Sequence, residues 1–94
     1  MTVVKKTIST SWTEVIDFDT DITSHSPLHS AGFIVSCDAQ VVIEFGFGFN
    51  GGDPVEVDFH LPASIAWMYL GDKRAKGKLY ARGVDSGTDI RVEV

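Results

Sequence analysis

Apolar and polar residues alternate with a period of two along most of this chain. Between Trp12 and Ile22, for example, a run of alternate aspartates is interleaved with Ile16 and Phe18. Successive side chains of a β-strand point to opposite faces, so this pattern predicts strands with one buried and one solvated face. No window combines helical periodicity with a helix cap and a stop signal. The chain is therefore predicted to be all-β.

Turn-forming residues separate about eight short stretches, the spacing typical of sandwiches, jelly rolls and barrels. We predict one small antiparallel β-sandwich over residues 1–94, with residues 1–11 as an extended N-terminal arm or an edge strand. Residues 54–61 read as one alternating strand with Val55 and Val57 inward. Residues 63–70 are apolar on both faces, which suits a strand covered by the core and by another subunit; a helical turn is the competing interpretation.

The overall charge and the single cysteine exclude several classes of protein. Thirteen acidic against eight basic residues give a net charge of −5, which argues against coating nucleic acid. No stretch approaches the roughly 18 apolar residues of a membrane span, and the start lacks the apolar region of a signal peptide. Cys37 cannot form an internal disulfide and shares a face with Phe33 and Val35, so it is predicted to be a buried thiol. We expect synthesis in a reducing cytoplasm.

The stretch from Gly46 to Gly51 matches the G-x-G-x-x-G pattern of dinucleotide-binding loops. Such a loop needs a following helix whose N-terminus holds the phosphates, and here a turn and another strand follow. No cofactor is therefore predicted. Residues 50–53 read as a hairpin turn, while Gly46 and Gly48 lie within a strand and predict a bend or the close approach of another backbone on a bare outer face.

Three sets of side chains could carry chemistry, and none fits its motif. The alternate aspartates at 17, 19 and 21 resemble a calcium loop, but Ile22 and Leu28 stand where Gly and Glu are required. Glu56 and Asp58 have a spacing that glycosidases can use, without an identifiable aromatic cleft. The histidines at 25 and 29 have the spacing of a helical metal site, but Pro27 between them forbids a regular helix, and His60 follows a separate strand. This leaves loop histidines or a pH-sensitive contact. No enzymatic activity and no metal are predicted.

Four stretches resemble, in order, the small all-β structural proteins of tailed-bacteriophage virions: TSWTEVI, AGFIVSCDAQVVIEFG, VDFHLPASIAWMYLG and GKLYARGVDSGTDIRVEV. The similarity covers nearly the whole chain and is one of strand and turn pattern. It implies a jelly-roll-like sandwich that acts as a decoration or cement protein. Such a protein binds the major capsid protein on the outer surface of the virion, as a homo-oligomer and commonly a trimer.

Two sets of residues carry this expectation. Apolar or bare strand faces predict an oligomer interface at Gly46, Gly48, Trp67, Met68, Tyr69 and Leu70. Exposed turns predict capsid-docking loops at Asn50, Gly51, Asp53, Lys73, Arg74 and Lys76. The basic residues of this set, together with Lys78, are also consistent with a solvated turn that binds nothing.

Two alternatives stay open. The first is a carbohydrate- or receptor-binding module or adaptor of a phage tail or neck, with Trp12 or Tyr80 as the stacking platform. The second is a minimal enzyme that uses paired carboxylates in a cleft.

Overall fold

The computed structural model describes residues 3–18, 32–39, 41–48, 52–70 and 77–94. These residues form eight strands and no helix, which confirms the all-β prediction. The strands are β1 (Val3–Ile8), β2 (Thr13–Asp17), β3 (Phe33–Ser36), β4 (Ile43–Gly48), β5 (Phe59–Leu61), β6 (Trp67–Leu70), β7 (Lys78–Gly83) and β8 (Thr88–Glu93).

The strands pair into two four-stranded antiparallel sheets. The first sheet has the order β1-β8-β3-β6 and the second has the order β2-β7-β4-β5. Every connection except the one from β4 to β5 passes from one sheet to the other, so the chain wraps around a shared core. This nested order is that of a jelly roll, which confirms the predicted sandwich and its jelly-roll-like form. Residues 3–8 form an edge strand rather than an arm.

The core lies between the inner faces of the two sheets. Phe45 of β4 stacks on Phe59 of β5 with ring centroids 4.8 Å apart, and Phe33 of β3 packs against Phe18 at 5.0 Å. Cys37 is 2% exposed, as predicted. The other buried apolar residues are Ile8, Val15, Ile16, Val35, Ile43, Leu61, Leu79, Ala81, Ile90, Val92 and Val94.

The alternating stretch from Pro54 to Leu61 is the main exception to the predicted strands. Only Phe59–Leu61 forms a strand, and Val55 and Val57 are 99% and 37% exposed instead of inward. Pro54, which alternation places outward, is buried. The prediction was wrong because residues 52–58 pack on the outside of the second sheet rather than extending β5.

Candidate binding surfaces

Part of the outer face of the second sheet, over Gly46 and Gly48, is covered by residues 52–58, here named the covering segment. A Cβ atom on Gly46 would lie 2.6 Å from Pro54 Cβ and 2.8 Å from the Glu56 carbonyl oxygen. A Cβ atom on Gly48 would lie 2.5 Å from both the Gly52 carbonyl oxygen and the Tyr80 ring. The two glycines therefore leave the space that Pro54 and Tyr80 fill.

This packing corrects two predictions. The face around Gly46 and Gly48 is not bare, because the covering segment lies on it. The close backbone approach that glycine indicated is real, but the approaching backbone belongs to the same chain. These two residues therefore offer no open surface to the predicted oligomer interface.

Asp58 fastens one end of the covering segment to β4. Its backbone N–H donates to the Phe45 carbonyl at 2.9 Å, and its carboxylate Oδ2 accepts from the Phe47 N–H at 2.8 Å. The carboxylate thus replaces a backbone acceptor at the point where β5 no longer pairs with β4. This bond gives Asp58 a structural role.

Val55 projects from the middle of the covering segment. It is 99% exposed, and its neighbours Asp53 and Glu56 are also exposed. The backbone on either side is held by buried Pro54 and by the bonds of Asp58, so the protruding side chain has a defined position. Of the predicted docking residues, Asp53 lies in this segment. The remaining five lie outside the described residues: Asn50, Gly51, Lys73, Arg74 and Lys76.

Trp12 and Tyr80 both lie on the outer side of the second sheet. Tyr80 is 7% exposed, so the prediction that it forms a stacking platform is wrong. The Arg82 guanidinium lies 4.2 Å from the centroid of the Trp12 ring and donates through Nε to Glu44 at 2.8 Å. One face of Trp12 is therefore already occupied by a cation that is fixed by a carboxylate.

The basic residue Lys78 also has a partner within the chain. Its Nζ lies 3.2 Å from Glu14 Oε1 across β7 and β2. The hydrogen bond to Glu14, and then the charge of that carboxylate, raise the pKa of Lys78 above its ordinary value of 10.5. The pair therefore persists at neutral pH and is lost as the pH rises through the raised pKa.

The outer face of the first sheet carries the exposed aromatic rings. Trp67 and Tyr69 are 58% and 44% exposed, and we name these two residues the aromatic edge because β6 is an edge strand. Met68 and Leu70 point the other way and pack against the core. Of the four residues of β6 predicted at an oligomer interface, the aromatic edge is thus the pair that a ligand or a second copy can contact.

A groove crosses the first sheet beside the aromatic edge. It consists of two depressions of about 370 Å³ and 340 Å³ that share Ser36, Asp38 and Arg91. The larger depression extends to Lys5 on β1, and the smaller one extends to Trp67 on β6. We name the two depressions together the sheet groove. The sequence gives no signal for it, because it depends on which residues of four strands are brought side by side.

The remaining candidate residues do not converge on a further site. His60 is exposed on β5, while His25 and His29 lie outside the described part of the chain. Within the ranges that the structure describes, no three His, Cys, Asp or Glu side chains are grouped to hold a metal ion. The same residues include no helix long and apolar enough to cross a membrane.

Comparisons with known proteins identify no relative of this chain. No protein-family model, no curated protein and no solved structure matches this chain.

Proposed function

We propose that this chain is a non-enzymatic structural protein of a bacteriophage virion, of the decoration or cement type. It binds the outer surface of the capsid as a homo-oligomer and stabilises contacts between subunits of the major capsid protein. The observation that carries the proposal is the fixed covering segment with its fully exposed Val55. The jelly-roll order is compatible with it, since this fold occurs in viral capsid proteins as well as in lectins.

The covering segment has the properties of a docking element. An apolar side chain that is completely exposed gains by being covered, and Val55 stands at the centre of a short polar surround formed by Asp53 and Glu56. Because Pro54 and Asp58 already hold the backbone, little conformational entropy is lost when a partner binds. The flanking carboxylates favour a partner patch with an apolar pocket and basic residues around it.

A single valine supplies modest affinity, and multivalency strengthens it. A homo-oligomer presents one covering segment per subunit to a lattice that repeats its own binding site. Once the first segment is bound, the others bind at a high effective concentration, and the overall affinity rises without new contacts. Clamping of neighbouring capsid subunits follows from the same geometry.

Substitution of Val55 tests the proposal. We expect Val55→Asp to weaken binding to capsids that lack this protein by about tenfold or more, because it places a charge in the apolar contact. The assay is co-sedimentation of purified protein with such capsids from the parent phage.

Val84→Asp is the matched control. Val84 is also an exposed turn valine, at 61% exposure. It follows the end of β7 where Gly83 pairs with Ile43, and this is the opposite end of the β4–β7 ladder from Gly48. Binding by Val84→Asp should equal that of the native chain. Equal binding by Val55→Asp, or no binding by the native chain, contradicts the proposal.

The alternative of a carbohydrate-recognition module needs an aromatic platform other than Tyr80. Trp67 and Tyr69 supply exposed rings on the first sheet. That surface is separate from the covering segment on the second sheet, so the two activities can be tested independently.

A further inference from the structure

We propose that the sheet groove binds a neutral carbohydrate, with Trp67 as the stacking platform and Arg91 and Asp38 as its hydrogen-bonding groups. The inference does not depend on capsid binding, because it concerns the other sheet.

The groove owes its shape to one small residue between two large ones. Strand register places Lys5, Arg91, Ser36 and Trp67 side by side across β1, β8, β3 and β6. Ser36 is the small member of this row, so a depression opens between Arg91 and Trp67. Three interstrand spacings of about 4.8 Å make the row about 14 Å long, which is enough for a short oligosaccharide.

The aromatic edge provides the apolar side of the site. Trp67 is 58% exposed and stands on the groove wall, where a flat ring can cover the C–H face of a sugar. Tyr69 is two residues further along the same face of β6, about 7 Å away. Two rings at this distance can contact successive parts of one chain of sugars.

The groove also provides hydrogen-bonding groups that the protein leaves available. Arg91 and Asp38 line both depressions, and neither has an ion-pair partner among the described residues. The guanidinium presents a planar fork of donors, and a carboxylate accepts only. Adjacent sugar hydroxyls both donate and accept, so they can satisfy the two groups together.

The charge of the groove selects a neutral ligand. Its cationic residues are Lys5, Lys6 and Arg91, and its acidic residues are Asp38, Asp89 and Glu93. The formal charges therefore cancel. Asp89 in addition accepts a hydrogen bond from the Thr7 hydroxyl at 2.5 Å. A polyanion would need a basic surface.

The same residues argue against a second copy of this chain as the occupant. The cores of protein interfaces are depleted of charged residues. A contact that excludes water from Arg91 and Asp38 would bury two charges. The second copy would then have to provide an oppositely charged group, in good geometry, for each of them. A hydrated, polyhydroxylated ligand avoids this cost.

Tryptophan fluorescence can report directly from the groove. The chain has two tryptophans, so Trp12→Phe leaves Trp67 as the only one while keeping a ring beneath Arg82. This variant is titrated with neutral trisaccharides: maltotriose, cellotriose, xylotriose and tri-N-acetylchitotriose. We expect at least one to give a saturable change in emission. Isothermal titration with the native chain should give the same affinity.

Two substitutions locate the binding. Trp67→Ala removes the platform, and Ser36→Leu fills the groove while leaving Trp67 in place. Each should weaken binding by at least tenfold, whereas Val84→Ala should not change it. Ser36 faces outward, so circular dichroism of Ser36→Leu should match that of the native chain.

Four results would overturn the inference. They are no binding of any neutral trisaccharide, undiminished binding by Ser36→Leu and Trp67→Ala, binding of sulfated sugars alone, and conversion of a native oligomer to monomer by Trp67→Ala in light scattering. The last result would identify a second copy as the occupant. Val55→Asp should keep native sugar affinity, so failure of the capsid proposal and failure of this one are distinguishable.

Discussion

At the scale of single residues, Gly46 and Gly48 determine how the second sheet is closed. Both lack the side chain that would collide with the covering segment or with Tyr80. Glycine inside a strand costs stability on its own, since it has no side chain to pack and loses more backbone freedom on folding. Here the cost is offset by the burial of Pro54 and Tyr80 over the strand.

Alanine at Gly46 tests this role. Gly46→Ala should lower the free energy of unfolding by about 1–3 kcal/mol, because the added methyl group overpacks the contact with Pro54. Gly52→Ala is the control, since a Cβ atom there meets nothing within 4 Å. Urea denaturation followed by circular dichroism measures both. A loss at Gly52 as large as that at Gly46 would show that the contact with Pro54 is not the cause.

At the scale of elements, the covering segment depends on one carboxylate. Asp58 accepts the N–H of Phe47 where the β4–β5 ladder has ended. Without it, this amide loses its acceptor and the segment loses one of its attachments. The position of Val55 at the surface therefore depends on Asp58.

Replacement of Asp58 by alanine should accelerate hydrogen exchange at the Phe47 amide while the core amides of β7 keep their protection. Asp53→Ala, in the same segment but exposed, should leave exchange at Phe47 unchanged. Nuclear magnetic resonance reads these amides individually. If Phe47 exchanges at the native rate in Asp58→Ala, water or another group satisfies its N–H and the attachment is weaker than proposed.

The same elements show what the sequence could and could not predict. Alternation located the strands and the burial of Cys37, because burial on one face of a strand leaves a period of two. It failed at Val55, since the stretch from Pro54 to Leu61 alternates like a strand although residues 54–58 lie outside the sheet and only Phe59–Leu61 pair with β4. Alternation also did not predict the aromatic edge. Strand β6 is apolar on both faces, and its own sequence does not show which face is exposed to solvent. The groove at Ser36 could not be predicted either, because it depends on which residues of neighbouring strands are paired.

At the scale of the whole molecule, the jelly-roll order leaves two outer faces that differ in structure. The second sheet is covered over Gly46 and Gly48 by the chain's own covering segment, and the first sheet has an open groove with exposed rings. The core between them has to be continuous, because six of the seven strand-to-strand connections cross from one sheet to the other. We therefore expect cooperative unfolding of the entire domain.

Cys37 offers a direct probe of that cooperativity. The thiol is buried between the sheets, so it should not react with a bulky disulfide reagent until the domain unfolds. The urea midpoint of thiol reactivity should coincide with the midpoint from circular dichroism. Fast labelling in the absence of urea would reveal local opening of the first sheet near β3.

The proposal that this protein decorates a capsid lattice can be tested by its copy number in the virion. Quantitative mass spectrometry of purified particles of the parent phage gives the ratio of this chain to the major capsid protein. We expect a ratio of the order required for a protein that repeats over the whole lattice. A ratio that fits only a neck or tail, or the absence of the chain from the particle, would contradict it.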